Sequence, residues 1–218
     1  MKQTPWDYPC LGMPSYEVSQ FSNEIFDFIK INSGHFTLKI DPLLPSKQFI
    51  DAGFYYCDTL VEPFCSEERF IAHYDEKVGL MEFTDTQEVQ AMIANVFVYS
   101  RFYRDFNIDN SVADKRYSQW LTQLVQSGNV FRFTYGGESA GFVAYVNNKL
   151  VLHALQSNYR GKGLAKFFWT QICQKLFLTG HKEITSSISM ANTTILNLYS
   201  SLGFKFRHAQ DIYHLLKD

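Results

Sequence analysis

The chain has 218 residues, 46% of them hydrophobic, so it can bury a large core as one domain or as two small ones. Its formal net charge of −2 provides no basic footprint, which argues against a nucleic-acid partner. The sequence has no apolar run long enough to cross a bilayer and no signal-peptide core near its start, so we expect no membrane partner and a cytoplasmic location.

The first 77 residues alternate short segments of strand and helix character. Predicted strands cover residues 15–20, 35–41 and 54–61, and predicted helices cover residues 23–30 and 46–52. A unit of this size is too small for us to expect stability on its own. Residues 1–77 are therefore predicted to form a truncated α/β lobe that packs edge to edge with a larger sheet.

Residues 78–218 are predicted to form the main domain. It begins with a strand over 78–83, a helix capped at Thr84-Asp85 with an apolar stripe from Val89 to Phe97, and a second helix with apolar residues from Tyr117 to Val125. Strands over 130–135, 139–146 and 150–155 follow, joined by Gly136-Gly137 and Asn147-Asn148. Such pairs suit two-residue hairpin turns, because these turns need residues that tolerate positive φ.

The chain order after residue 155 predicts a parallel crossover. A glycine-containing turn leads to a helix with apolar residues from Leu164 to Leu176, then to a strand over 183–189, a short helix around Tyr199 and a last strand over 204–215. Strands 150–155 and 183–189 are joined through a helix, so they should pair in parallel, whereas the hairpins are antiparallel. The predicted fold class is α/β, with a mixed, mostly antiparallel sheet flanked by helices.

The turn reads Tyr-Arg-Gly-Lys-Gly-Leu-Ala over residues 159–165. Glycines let backbone N–H groups crowd a bound anion, and the unsatisfied first-turn donors of a helix favour a phosphate. The turn matches neither Gly-x-x-x-x-Gly-Lys-Ser/Thr nor Gly-x-Gly-x-x-Gly, because Leu164 follows Gly163 and Lys166 stands where a third glycine would be. We expect a pyrophosphate site, and an ordinary strand-to-helix turn is the alternative for these residues alone.

Arg160, Gly163 and Ala165 fit the pattern Arg-x-x-Gly-x-Ala. This pattern resembles the acetyl-CoA signature of the GNAT superfamily of acyl-CoA N-acyltransferases.

A second motif follows later in the chain. Asn192 precedes Leu198-Tyr199 on a short predicted helix, and Gly203-Phe204 ends that helix and begins a strand. The pattern is similar to the last conserved block of the same superfamily. With two motifs in the family's order, the chain is identified as a member of the GNAT superfamily, and the predicted element order agrees with the GNAT fold.

The resemblance implies acetyl-CoA as cosubstrate, no metal, and direct transfer of the acetyl group to a primary amine. In the family, the strands that correspond to 150–155 and 183–189 splay, and the acyl-pantetheine lies in the gap with its pyrophosphate on the glycine loop. The residues implied for cofactor binding are Ala154, Leu155, Arg160, Gly161, Lys162, Gly163, Leu164, Ala165 and Asn192.

Tyr199 matches the general-acid tyrosine of the family. A phenol with an ordinary pKa of about 10 stays protonated at neutral pH and can supply the proton of the leaving thiolate. The family assigns polarisation of the thioester carbonyl to a backbone N–H that corresponds to Leu155. The alternative for Tyr199 is an aromatic packed on the buried face of its helix, and Asn192 is equally well placed as a helix N-cap.

A narrower resemblance concerns the acceptor. Trp6-Asp7 with Gly12, Gly53-Phe54, and Ser100-Arg101-Phe102-Tyr103-x-Asp105 followed by Tyr117 and Trp120 resemble the TDP-fucosamine N-acetyltransferase branch. Those enzymes acetylate the 4-amino group of a nucleotide-linked deoxysugar and carry a GNAT-like first lobe. This chain departs from the branch at Cys10-Leu11, where an aromatic pair usually precedes the glycine.

Four residues are candidates for acceptor binding: Arg101, Tyr103, Asp105 and His153. The planar guanidinium of Arg101 suits a diphosphate, and it can equally cap the carbonyls of the preceding helix. His153 is also a candidate general base, since an imidazole has an ordinary pKa near 6.5, but a strand histidine more often packs or forms hydrogen bonds.

Two other classes of function stay open. One is a peptide or protein N-terminal or small-amine acetyltransferase on the same fold, and the other is a non-catalytic CoA-binding module. The sequence also leaves a homodimer open.

Cys10, Cys57, Cys65 and Cys173 form no Cys-x-x-Cys pair and have no histidine at ligand spacing, so we expect neither a metal site nor a disulfide among them. Cys173 lies beside the apolar stripe of its helix, where a buried, inert thiol is expected.

Overall fold

The computed structural model describes residues 1–20, 22–83, 85–93 and 96–217. The predicted cap residue Thr84 and the side chain of Val89 lie outside what it describes. Within these residues, no helix combines the length and apolarity that crossing a bilayer requires.

The first 77 residues form short strands and helices in the predicted order. The strands are Lys2–Gln3 (β1), Ser15–Val18 (β2), Gly34–Ile40 (β3) and Tyr55–Ser66 (β4), and the helices are Tyr8–Leu11 (α1), Asn23–Ile31 (α2) and Lys47–Asp51 (α3). α2 begins where Ser22 adopts an extended conformation and its hydroxyl accepts a hydrogen bond from the N–H of Ile25. β4 continues well beyond the predicted strand end at residue 61.

The remaining elements also follow the predicted order. The strands are Val78–Glu82 (β5), Val130–Tyr135 (β6), Glu138–Val146 (β7), Lys149–Leu155 (β8), Glu183–Ser186 (β9), Ile188–Ser189 (β10) and Lys205–Lys217 (β11). The helices are Thr86–Ala91 (α4), Asn110–Gln126 (α5), Ala165–Leu178 (α6) and Thr193–Ser201 (α7). Two predictions differ from the structure. The strand expected over 183–189 is divided into β9 and β10, and α4 ends at Ala91 although the apolar stripe continues to Phe97.

The sheet has the order β1-β2-β3-β11-β4-β9-β8-β7-β6-β5, and β10 pairs with β4. All neighbours are antiparallel except β2–β3 and β8–β9, so the mixed, mostly antiparallel sheet is confirmed. β4 lies between β9 and β11, and therefore a strand from the first 77 residues completes the sheet of the main domain.

Helices cover both faces of the main sheet. α6 and α7 pack on one face around Trp169, Tyr199 and Phe133, whereas α5, with Met92 and Ile93, packs on the other around Leu121 and Phe142. Cys173 is fully buried in the first of these cores, as expected. All four cysteines are free thiols.

β8 and β9 pair over two positions and then diverge. Their parallel register joins Lys149 to Thr185 and Leu150 to Ser186, and beyond these residues β10 pairs with β4 instead. The predicted parallel crossover and the splay are therefore confirmed. On the side away from β7, residues 151–155 of β8 pair with no strand that the structure describes and border a gap in the sheet.

Candidate active site

A cavity of about 1120 Å³ opens where β8 and β9 diverge. Its walls come from β8, the turn before α6, the first turns of α7, the segment over residues 96–102, α5, and the first-lobe strands β3 and β4. Ten of the predicted site residues line it: Arg101, His153, Ala154, Leu155, Arg160, Gly161, Gly163, Leu164, Ala165 and Asn192. The cavity therefore joins most of the predicted cofactor residues to part of the predicted acceptor residues.

The glycine loop before α6 adopts a left-handed backbone at both of its glycines. Gly161 and Gly163 have φ values of 71° and 70°, and a Cβ at either position would meet no atom within 4 Å. Glycine is thus favoured by the left-handed backbone conformation, and the space beside it is open. Leu164, the N-cap of α6, makes no side-chain capping hydrogen bond, so its side chain leaves the first N–H groups of the helix available.

The loop is tied to the end of β8. Arg160 Nε donates a hydrogen bond of 2.6 Å to the carbonyl oxygen of Leu155. The Gln156 N–H donates to the Ala140 carbonyl on β7 at 2.8 Å. Because backbone N–H groups alternate in direction along a strand, the N–H of Leu155 points the other way, towards the gap.

Tyr199 is fully buried, and it is not one of the described residues that line the cavity. Its hydroxyl lies 3.3 Å from Nε2 of His153, and His153 does line the cavity. Burial raises the pKa of Tyr199 above its usual range, so the phenol is protonated at neutral pH. Burial lowers the pKa of His153 to about 4, so its imidazole is neutral at pH 7. The pair is a neutral donor and a neutral acceptor beside the cavity.

Asn192 lies both at the start of α7 and on the cavity wall. It is the N-cap of α7, where its Oδ1 accepts a hydrogen bond of 3.3 Å from the N–H of Ile195, and it also lines the cavity. Its capping role is therefore present in the structure, and a side-chain N–H₂ remains to contact a ligand. Lys162 stands on the loop but is not among the described residues that line the cavity.

Two predicted acceptor residues are placed elsewhere than the cavity wall. Asp105 is 2% exposed, and its oxygens accept hydrogen bonds from Tyr55 Oη at 3.0 Å and from the His214 ring at 2.7 Å. The Tyr103 hydroxyl donates to the carboxylate of Asp114. Since these side chains are engaged by the protein, the structure corrects their expected position. Of the four candidates, Arg101 and His153 face the cavity.

Asp105 belongs to a buried cluster with His35 and His214. Ligand atoms of the three residues lie within 4.8 Å of one another, a grouping that could hold a metal ion. Burial alone would raise the pKa of Asp105, but the hydrogen bond from His214, with the His35 ring 3.8 Å away, brings it below its usual range. Burial lowers the pKa of His214 to about 3. The ionised Asp105 therefore accepts a hydrogen bond from neutral His214. This hydrogen bond connects the segment over residues 97–109 to the sheet and gives the cluster a structural role.

The cavity wall formed by β3, α5 and the 96–102 segment carries the cationic side chains Lys39, Arg116 and Arg101. Lys39 on β3 pairs with Glu17 at 2.7 Å, and Arg116 on α5 pairs with Asp7 at 2.6 Å. No carboxylate forms a salt bridge with Arg101 in the part of the chain that the structure describes. Burial, with the neighbouring Arg116, lowers the pKa of Arg101. Arg101 is half-buried, and a guanidinium without a carboxylate partner on a cavity wall is a candidate for contact with an anionic ligand.

Sequence reasoning missed the contribution of the first lobe to this wall. Lys39, Asp58 and Leu60 line the cavity, together with Ser189 on β10. No local motif marks these residues, because β4 reaches the cavity by pairing with β9, β10 and β11, which are more than a hundred residues away in the chain. The aromatic residues Tyr117 and Trp120, which carried the narrower resemblance, also line this end.

The model of the Acetyltransferase (GNAT) family matches residues 95–204. A GCN5-related N-acetyltransferase from Sphaerobacter thermophilus is 12% identical, with a TM-score of 0.59 over 88% of this chain and 64% of that chain. A Drosophila protein is 12% identical, with a TM-score of 0.62 over 94% of this chain and 71% of that chain. A GCN5-related glucosamine N-acetyltransferase region of a fungal multi-domain GH3 β-N-acetylglucosaminidase is 12% identical, with a TM-score of 0.56 over 82% of this chain and 25% of that chain.

At these identities, the likeness to solved structures concerns the fold alone. The chain spans less than two thirds of the S. thermophilus structure. No curated protein matches the chain in sequence.

Proposed function

The chain belongs to the GNAT acetyltransferase family, and we propose that it transfers the acetyl group of acetyl-CoA directly to the 4-amino group of a nucleotide-linked dideoxy sugar. One observation carries the proposal. A single cavity runs from the glycine loop before α6 to a wall that holds Arg101, Lys39 and several aromatic rings. One end suits the pyrophosphate of the cofactor, and the other suits a second anionic ligand with planar groups.

The cofactor end uses the backbone. The first N–H groups of α6 and the open glycine loop bind the pyrophosphate, and the acyl-pantetheine lies in the gap along β8. The thioester carbonyl then reaches the N–H of Leu155, which polarises it and stabilises the charge that develops on oxygen. Asn192 meets the pantetheine from the start of α7.

Tyr199 is the proposed source of the proton for the leaving thiolate. Its hydroxyl contacts His153, and His153 contacts the cavity. The proton therefore passes through the imidazole: Nε2 accepts the proton of Tyr199 while the other ring nitrogen releases one towards the sulfur. This route uses the neutral imidazole and requires no charged histidine, in keeping with the lowered pKa of His153.

The acceptor end suits a nucleotide-linked sugar. Arg101 offers a planar fork to a diphosphate, and Tyr117 and Trp120 offer faces to a base or a pyranose ring. We propose that residues 1–77 are a GNAT-like lobe that supplies acceptor contacts such as Lys39, and that residues 78–218 are the acetyltransferase domain.

Mass spectrometry of reactions with acetyl-CoA tests the proposal. The acceptors are TDP- and UDP-linked 4-amino-4,6-dideoxyhexoses, a protein N-terminal peptide and a free polyamine, with Gly163→Glu as the control that should not bind acetyl-CoA. We expect one acetyl group on the sugar amine. A product from the peptide or the polyamine alone would overturn the sugar assignment. Binding of acetyl-CoA without product from any amine would indicate a non-catalytic module.

A further inference from the structure

Asp58 is a buried carboxylate on the cavity wall. It lies on β4 with no exposed surface, two residues before Leu60, and both residues line the cavity. Side chains two residues apart in a strand share one face, so this face of β4 is directed to the cavity. The sequence offers no motif around Asp58, and the GNAT motifs lie elsewhere in the chain.

The two oxygens of Asp58 have different surroundings. Oδ1 accepts hydrogen bonds from Arg104 Nη1 at 2.5 Å, from Ser189 Oγ at 2.7 Å and from the N–H of Thr59 at 2.9 Å. Oδ2 is buried and has no hydrogen-bond partner among the described residues. A buried carboxylate oxygen without a donor is costly, and buried polar atoms are generally paired. The missing donor is therefore expected to come from a ligand.

The charges around Asp58 indicate what kind of ligand that is. Arg104 forms a salt bridge with Oδ1, and Arg101 adds a positive potential from the same segment. On the sheet side, Asp58 is paired in register with Ile212 of β11, and Ser189 contacts it from β10. Lys39 is the cation on the next cavity-lining strand. A ligand that carries phosphates for Arg101 and an ammonium for Oδ2 satisfies both sets of groups, and a nucleotide-linked amino sugar has this combination.

We propose that Oδ2 of Asp58 binds the ammonium group of the acceptor and takes its proton, which makes Asp58 the general base. This inference rests on the proposed function. The ammonium gives one proton to Asp58, and the nitrogen lone pair then forms the C–N bond. The C–S bond breaks and the thiolate sulfur takes up a proton through His153. The second N–H proton replaces the one that Tyr199 released, and Asp58 returns the first to water.

The alternative base is weaker. Burial raises the pKa of Asp58, although Ser189 and Arg104 act in the opposite direction. His153 Nε2 lies 3.3 Å from the Tyr199 hydroxyl and is already engaged in the proposed route of the leaving-group proton. Of the two groups, Asp58 has the oxygen without a hydrogen-bond partner among the described residues, so the carboxylate is better placed to take the proton of the acceptor. Asp58 lies within residues 1–77, so the proposal also gives the first lobe a role in the chemistry.

The test replaces Asp58 with asparagine. Asp58→Asn keeps the shape of the side chain and an oxygen that accepts from Ser189 and Thr59. The amide NH₂ that takes the place of Oδ2 cannot accept a proton. Asp211→Asn is the matched control, because Asp211 accepts a hydrogen bond of 2.6 Å from the Thr59 hydroxyl on the neighbouring strand and is not among the described residues that line the cavity. We expect kcat/KM for the acceptor to fall ~10²-fold at pH 7 in Asp58→Asn and to change little in Asp211→Asn. The KM for acetyl-CoA should not change.

A pH profile separates a base from a structural residue. The deficit of Asp58→Asn should shrink as the pH rises towards the pKa of the acceptor amine, because the amine then enters already deprotonated. A deficit that is equal at every pH, or that appears equally in Asp211→Asn, would overturn the inference while leaving the proposed function intact. If the wild-type protein acetylates no amine, both fall together.

A measurement on the wild-type protein covers the case in which Asp58→Asn does not fold. The acceptor and its analogue with a hydroxyl in place of the amine are titrated calorimetrically in the presence of CoA. We expect the amine to bind at least tenfold more tightly at pH 7, since only the amine carries a charge for Oδ2. Equal affinities would contradict the inference.

Discussion

The two ends of the cavity are built in different ways. The cofactor end consists of residues that are close in sequence, the end of β8 and the turn before α6, and it presents mainly backbone N–H groups. The acceptor end combines side chains from β3, β4 and α5 with those of the 96–102 segment. The difference suggests that chemistry common to the family rests on contiguous backbone, whereas the choice of acceptor rests on side chains that only the complete sheet brings together.

The largest expected effect on activity comes from Tyr199, the proposed general acid between the two ends of the cavity. Tyr199→Phe should lower kcat by ~10²–10⁴-fold, because it removes the hydroxyl that contacts His153, while the ring keeps its packing and acetyl-CoA its affinity. Steady-state kinetics and calorimetry measure the two quantities. Tyr213→Phe is the control, because Tyr213 is a buried tyrosine on β11 that is not among the cavity-lining residues described. Rates within threefold of the wild-type value would make Tyr199 a core aromatic only.

The next effect tests the cofactor end. Gly163→Glu should weaken acetyl-CoA binding by about 10²-fold or more, since it places a negative charge beside the phosphates. Gly128→Glu is a matched control for backbone strain, because Gly128 is exposed, has a φ of 71° and has equal room for a side chain. Calorimetry should show a loss specific to Gly163→Glu. The loop assignment fails if both folded variants bind acetyl-CoA equally.

A smaller effect tests the acceptor end. Arg101→Ala should raise the KM for a nucleotide-linked acceptor by about 10–100-fold, the range expected for a hydrogen bond to a charged group, and leave the KM for acetyl-CoA unchanged. The KM of Arg101→Lys for the acceptor should lie between those of the wild-type protein and Arg101→Ala, because lysine keeps the charge but lacks the planar guanidinium. A change of similar size in both KM values would show that the two ends are not independent.

The smallest effect concerns pH and stability. His153 has a pKa of about 4 in the folded protein and an ordinary value near 6.5 when unfolded, so the unfolded state binds more protons between these pH values. Stability should therefore rise with pH from 4 to 6.5. His153→Gln should reduce that slope by no more than one proton, about 1.4 kcal/mol per pH unit, in urea titrations at several pH values. An unchanged slope in His153→Gln would contradict the lowered pKa of His153 in the folded protein.

The backbone of the proposed cofactor end was predictable because local patterns determine it. The glycine spacing at 161 and 163 requires positive φ, and the helix that follows supplies its own donors, so the loop could be identified from a few residues. The order and type of the strands and helices were also predictable, since each has its own apolar period.

The acceptor end was predictable only in part. Arg101 was identified, but Tyr103 and Asp105 were expected in the same site on the ground that they are neighbours in sequence. In the structure the 97–109 segment turns Asp105 towards His214 instead. Asp58 was missed because its place depends on β4 entering the sheet beside β9, and Lys39 was missed because β3 joins the same sheet through β11; no local period encodes either pairing.

The most direct test of the two-ended cavity is a crystal structure with CoA and an unacetylated nucleotide-linked amino sugar bound together. We predict that the CoA pyrophosphate contacts the N–H groups at 161–165, that the sugar diphosphate contacts Arg101, and that the amine lies against Oδ2 of Asp58. An acceptor bound outside the cavity, or CoA bound away from the glycine loop, would contradict the account.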